Sequence, residues 1–195
     1  MAVQLDDFAA APDLPSYLTR FAGRESELAE LRRILGLPDI RLVTVIGPGG
    51  VGKTRLVIEA LSSFELPEYA PLVFLDCAPL NAPEDVLPAL ALRFGIEQVG
   101  DQSGGEQLSE LLADRSAVAV LDNMEHLTAV SLQIGALLRA CPGLRVVVTS
   151  RTPLRLSHER LFPIEPLPTI ASDGARWSPA AVLLLDRAAL AGAAL

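Results

Sequence analysis

The chain has 195 residues, of which 50% are hydrophobic and only 5% aromatic, and it carries a formal net charge of −8 at pH 7. That length fits one α/β domain with a core of Leu, Val, Ile and Ala, and the acidic balance argues against this segment gripping a nucleic-acid backbone, which needs clustered Lys and Arg. No apolar run approaches the roughly 20 residues that span a bilayer, and the N-terminal stretch with Asp6, Asp7 and Asp13 lacks the basic and apolar regions of a signal peptide. No membrane association and cytoplasmic residence are therefore the expectation.

Residues 1–16, rich in Ala, Asp and Pro, read as a mobile lead-in to a domain over 17–195. A helix is predicted from near Arg24 or Ser26 to about Gly36, with Leu28, Leu31, Ile34 and Leu35 on one face, ended by Leu37-Pro38-Asp39. Arg41–Ile46 reads as a buried strand, and Arg55–Ser63 as a helix beyond a glycine-rich loop. Pro71–Asp76 is a second strand. Pro83-Glu84-Asp85 opens a helix running to about Gly95, with Pro in its first turn and two acids at the positive dipole end.

A loop over Val99–Gly105 precedes a predicted helix over Glu106–Ala113. Ala117–Leu121 is a continuous apolar run, the pattern of a parallel strand buried on both faces, and it ends in Asp122-Asn123. A helix over Thr128–Ala140 follows, with Leu132, Leu137 and Leu138 expected inward and Cys141-Pro142-Gly143 as its stop. Leu144–Thr149 is the fourth strand and ends in Ser150-Arg151. A shorter fifth strand is expected around Arg160–Ile164, and a last helix over Ala180–Ala193 after Ser178-Pro179. Strands alternating with helices give a parallel sheet covered on both faces. The polar clusters lie just past strand C-terminal ends, where ligands bind in open α/β sheets. Cys77 and Cys141 read as buried free thiols, and neither His126 nor His158 has a partner at metal-ligand spacing.

The loop is Gly47-Pro48-Gly49-Gly50-Val51-Gly52-Lys53-Thr54, which matches G-x-x-x-x-G-K-[ST] in full, between a predicted strand and a predicted helix. Glycine permits backbone conformations that a Cβ forbids, so successive N–H groups can form a concave nest. The helix N-terminus, with roughly half an elementary charge, adds attraction for phosphate. Lys53 is expected to reach β- and γ-phosphates, and the Thr54 hydroxyl to bind Mg2+.

Asp122 is the expected second Mg2+ holder, against the plainer alternative of a strand-end Asp capping the next turn. Arg151 can reach a γ-phosphate or serve as an ordinary surface arginine. Asn123 stands where many ATPases carry a second acid, and an amide cannot take a proton from water. Glu125, three residues past Asp122, can orient water or cap the next helix, so slow hydrolysis is expected.

With these elements placed, the chain resembles the nucleotide-binding domain of STAND ATPases, relatives of the AAA+ group, and among them the bacterial AfsR/SARP-type and large LuxR-type transcriptional regulators. The segments that carry the resemblance are FAGRESELAEL, VTVIGPGGVGKTRL, VAVLDNMEHL, LLRACPGLRVVVTSRTPL and FPIEPLP, from about Leu18 to Leu190. The resemblance implies a five-stranded parallel sheet in the order 5-1-4-3-2, with ATP or ADP and Mg2+ as cofactors. It places the segment Phe21 to Arg24 along the adenine, Gly47, Pro48, Gly49, Gly50, Val51, Gly52, Lys53 and Thr54 at the phosphates with Arg55 following, Asp122 at Mg2+, and Arg151 at the γ-phosphate.

It also implies a switch that self-associates in an ATP-dependent manner in the full-length protein and binds DNA only through domains outside this chain. The helical lid and winged-helix domain that follow in the family are not expected within these residues. A remodelling AAA+ ATPase and a nucleotide-binding scaffold without turnover are the alternatives. Asn123 weighs against the first, intact Lys53 and Thr54 against loss of nucleotide binding. No Asn-Lys-x-Asp guanine-reading motif is present.

Overall fold

Five parallel strands lie side by side in the order β2-β3-β4-β1-β5: β1 (Leu42–Ile46), β2 (Leu72–Asp76), β3 (Ala117–Asp122), β4 (Leu144–Ser150) and β5 (Glu159–Pro163). Read from the other edge, this is the expected 5-1-4-3-2. The computed structural model describes residues 14–64, 70–96, 102–171 and 176–192, so residues 1–13 of the expected lead-in lie outside the described residues.

Strands β1 to β4 are mainly apolar without alternation because both faces are covered. Successive side chains point to opposite faces. Leu42, Leu121, Val146 and Val148 join one core with α3 (Val86–Arg93), α4 (Gly104–Leu112) and α5 (Ser131–Ala140). Val43, Val45, Val120 and Val147 join the other with α1 (Glu25–Leu35) and α2 (Lys53–Leu61). The four expected face residues of α1, Leu28, Leu31, Ile34 and Leu35, are all buried there. Among the described residues β5 is an edge strand paired only with β1, and its Leu161 is exposed while Phe162 turns into the core.

Three helix starts on the first of these faces differ from the sequence reading for local reasons. The helix expected from Pro83 starts as a single 3-10 turn, Pro83–Asp85, and ends where Gly95 takes φ 70°. The helix expected from Thr128 begins instead at Ser131, after two short 3-10 turns at Met124–His126 and Thr128–Val130. Leu132, expected inward, is 77% exposed. Ile134, Leu137 and Leu138 set the buried face, and Leu132 stands about 200° around the helix from Ile134.

The third is α4, which starts two residues early. Ser103 caps it by accepting from the Glu106 N–H, while the Glu106 carboxylate accepts from the Ser103 N–H at 2.8 Å. This reciprocal box outweighs the poor helix propensity of Gly104 and Gly105. Gly104 is required for another reason: a Cβ there would lie 2.7 Å from the Pro88 backbone of α3. Ser103→Ala is expected to cost about 1 kcal/mol, a fall in Tm of about 2–4 °C for a domain of this size. Thermal unfolding followed by circular dichroism checks it.

Candidate functional site

The loop between β1 and α2 is held from three sides. At its start, the Ile164 N–H donates to Ile46 O at 2.7 Å, so β5 closes against the end of β1. Gly47 sits in that contact, where a Cβ would lie 2.4 Å from Ile164 O. Gly50 and Gly52 have φ of 74° and 95°, left-handed values that glycine takes without penalty. Gly52 is the N-cap of α2 and offers no side-chain acceptor, so the first-turn N–H groups remain free of a side-chain cap. α2 therefore begins at Lys53 rather than Arg55. The Lys53 ammonium, 8% exposed, folds back over the loop and donates to Gly47 O and Pro48 O at 3.0 Å each.

The strand ends converge on Asp122, which is 4% exposed. Its Oδ1 accepts from Thr54 Oγ1 at 2.7 Å and from Thr149 Oγ1 at 2.5 Å, and its Oδ2 from Asn123 Nδ2 at 3.0 Å. Burial raises the Asp122 pKa above the usual carboxylate range, the two threonine hydroxyls pull it back, and the charge of Asp76 pushes it further up. Among the described residues Asp122 has no ion-pair partner. Asn123 stands at φ 63°, its N–H donating to Thr149 Oγ1 at 3.0 Å and its side-chain amide also reaching Asp76 Oδ1 at 3.0 Å. Cys77, next to Asp76, is buried with its thiol pKa pushed up to about 12, chiefly by burial, and so is an inert thiol.

Arg151 and Glu125 face each other on the open side of the loop. Arg151 Nε lies 3.0 Å from Glu125 Oε1, and the arginine is 63% exposed. Its guanidinium also rests against Gly49, where a Cβ would lie 3.1 Å from Nη2. The second oxygen of Glu125, Oε2, is buried with no hydrogen-bond partner among the described residues.

Beside the loop lies a cleft of about 380 Å3, bounded by Phe21, Pro48–Gly52, Leu167, and Leu183 and Arg187 of α6 (Pro179–Leu190). Arg24, expected here, is 5% exposed, and its guanidinium bonds three ways: Nη2 donates to Val51 O at 3.0 Å and Glu165 O at 2.6 Å, and Nη1 to Glu27 at 2.9 Å. Arg55 turns to the rim, donating to Thr19 O at 2.6 Å with its guanidinium 4.3 Å from the Tyr17 ring centroid. Arg187 reaches Arg20 O at 3.1 Å. A larger hollow of about 560 Å3 lies at the opposite end of the sheet. Its Arg41 and Arg145 donate to backbone carbonyls around the ends of α5 and α1, so those charges serve as helix caps.

The structure thus gathers Lys53, Thr54, Asp122, Glu125 and Arg151 around one loop and puts Phe21 on the adjoining cleft. Sequence reasoning did not single out Asp76, Leu183 or Arg187. A strand-final Asp one strand away from Asp122 was the only signal for the first.

The AAA domain family model matches residues 39–156. A putative HTH-type transcriptional regulator of Mycobacterium tuberculosis is 39% identical over 120 residues, which are 61% of this chain and 13% of that protein. An uncharacterized protein of the same species is 32% identical over 152 residues, 77% of this chain and 38% of that one. The chain therefore spans well under half the length of these relatives. Among solved structures, Cdc6p from Pyrobaculum aerophilum superposes with TM-score 0.66 at 17% identity, covering 95% of this chain and 53% of that one. A STAND protein with a tetratricopeptide repeat sensor from Pyrococcus horikoshii superposes with TM-score 0.55 at 18% identity, covering 80% and 25%. Those two show a shared fold, and the sequence match over more than half of the chain shows the family: this chain belongs to the AAA domain family and has the fold of a P-loop NTPase.

Proposed function

We propose that the chain is an ATP/ADP-binding switch domain of a bacterial signal-responsive transcriptional regulator, with slow Mg2+-dependent ATP hydrolysis. The observation that carries this reading is the junction of loop and strand end: the glycine loop opens α2, and the Thr54 hydroxyl of its last residue is bonded to the buried carboxylate of Asp122 at 2.7 Å.

The free N–H groups of the loop and of the first turn of α2 receive the phosphates. Lys53 exchanges two neutral carbonyl acceptors for phosphate oxygens, a stronger, charge-assisted pairing. Phe21 and Leu183 give the cleft apolar walls for the base. Arg24 acts one step away, tying the loop at Val51 to the segment at Glu165, and Arg55 holds the rim at Thr19.

A hydroxyl and a buried carboxylate without an ionic partner among the described residues are hard oxygen donors that suit Mg2+, so Thr54 and Asp122 would hold it. Bound there, the ion would neutralise charge on the phosphates during transfer. Thr149 fixes the orientation of Asp122. Arg151 leaves Glu125 for the γ-phosphate, and Glu125 is then free to orient water. Hydrolysis is slow because Asn123 has no basic oxygen to take a proton and Glu125 starts out paired. The regulator role draws on the similarity to the HTH-type protein. DNA binding and nucleotide-dependent self-association belong to the longer protein.

Titration with fluorescent ATP and ADP, with and without Mg2+, tests the reading. Affinity on the order of micromolar with turnover slower than about 1 per second is expected, and absence of binding overturns it. Arg151→Ala is expected to weaken ATP about tenfold, the loss of one charge-assisted bond, while ADP affinity holds. Equal losses for both nucleotides would remove Arg151 from the γ-phosphate.

A further inference from the structure

We infer that Asp76, bridged to Asp122 by Asn123, is the second acid of the cation site, a positioning residue that receives a water of the bound divalent ion rather than ligating the ion itself. This rests on the nucleotide-and-Mg2+ reading of the site given above.

Asp76 and Asp122 are register partners at the ends of adjacent parallel strands, β2 and β3, about 4.8 Å apart along the sheet. One neutral amide serves both: Asn123 Nδ2 donates to Asp76 Oδ1 and to Asp122 Oδ2, each at 3.0 Å. Asn123 reaches both from φ 63°, a region that costs most side chains about 1–2 kcal/mol and that Asn tolerates best. The Thr149 hydroxyl fixes the backbone there by accepting the Asn123 N–H. Asp122 is buried with no ion-pair partner among the described residues, and a buried carboxylate of that kind calls for a cation.

The plainer role for Asp76 is a turn cap, since its Oδ1 also accepts the Ala78 N–H at 2.9 Å. A cap explains that bond. It does not explain an amide held in a left-handed conformation to join two acids. The other Asp76 oxygen makes no hydrogen bond among the described residues, and the residue is exposed. Mg2+ keeps several of its waters and takes few direct carboxylates. An exposed acid one strand from the ligand is therefore placed to accept from a coordinated water. Glu125 is less available, because Arg151 already engages it at 3.0 Å. Asn123 thus withholds a second acid beside Asp122 in sequence, and β2 supplies one in space.

The test measures Mn2+ binding by electron paramagnetic resonance in the presence of ADP, alongside ADP binding in metal-free buffer, on the full chain. Asp76→Asn keeps the shape and, through its carbonyl oxygen, both acceptor contacts, and removes only the charge. Asn123→Gly tolerates the left-handed backbone and removes the bridge. Outer-sphere partners of metal sites contribute about 10–100-fold in affinity. Both variants are expected to bind Mn2+ about tenfold more weakly while metal-free ADP affinity stays at the wild-type value. Mn2+ affinity within about twofold of wild type in Asp76→Asn reduces Asp76 to a turn cap and overturns the inference. A parallel loss of metal-free ADP binding marks a structural role and overturns it too. Wild-type protein that binds ADP without any coupling to Mn2+ overturns it while leaving the nucleotide site standing. Wild-type protein that binds no ADP brings down the underlying reading and this inference together.

Discussion

Lys53→Ala is expected to weaken ATP and ADP binding by at least about 100-fold, which corresponds to roughly 2.7 kcal/mol. The ammonium sits 3.0 Å from Gly47 O and from Pro48 O. It is therefore already at the mouth of the loop and needs no long excursion to reach a phosphate. Charge-assisted hydrogen bonds contribute about 1.5–3 kcal/mol each, and β- and γ-phosphate oxygens offer at least two. The fold should tolerate the change. Alanine loses the bonds to two loop carbonyls that water can then reach, so a stability loss of about 1 kcal/mol or less is expected. Isothermal titration for affinity and thermal unfolding for stability separate the two effects. Full affinity in a folded Lys53→Ala protein would displace the phosphates from this loop. Lys53→Arg is not expected to rescue, because a planar guanidinium does not fit the space of a compact ammonium.

The sheet was legible because its strands are buried on both faces. Ala117–Leu121 and Val146–Val148 carry no polar residue, and no other arrangement hides such runs as well. The glycine loop was legible because its backbone requirements leave few residue choices. What escaped the sequence is nonlocal or lies at element ends. Arg24 and Arg55 were placed beside the nucleotide by resemblance. Both line the cleft beside the loop, and what no spacing rule encodes is that their guanidiniums also satisfy the backbone of Val51, Glu165 and Thr19, partners up to 141 residues away. Arg187 meets Arg20 O across 167 residues in the same way. Asp76 is a lone Asp after a strand in sequence, and only the register of β2 against β3 sets it opposite Asp122. The start of α4 was misplaced for a different reason. Two glycines suggested a loop, while the Ser103–Glu106 box that overrides them was available in the sequence.

Gly47→Ala is expected to damage both fold and site, and comparison with Gly50→Ala isolates the cause. At Gly47 the backbone is not left-handed, so alanine meets no conformational penalty there. The obstacle is Ile164 O, 2.4 Å from the new Cβ, with Val51 Cγ1 at 3.2 Å. Neither can yield freely. Ile164 is bound through its N–H to Ile46 O at the end of β1, and Val51 belongs to the loop itself. Relief of the contact must part β5 from β1 or push the loop away from α2. Overpacking of this kind costs about 1–3 kcal/mol, a Tm loss of up to roughly 10 °C in a domain of this size. Because the strain falls on the first residue of the loop, nucleotide affinity should fall by more than about tenfold even at temperatures where the protein is folded. Gly50 presents the opposite case: φ is 74° and a Cβ there would have nothing within 4 Å among the described residues, so alanine meets only the left-handed penalty of about 1–2 kcal/mol. If Gly50→Ala proves the more damaging of the two, conformational freedom of the loop outweighs its packing against β5. If Gly47→Ala does, the edge strand is part of the site, because it fixes where the phosphate loop begins.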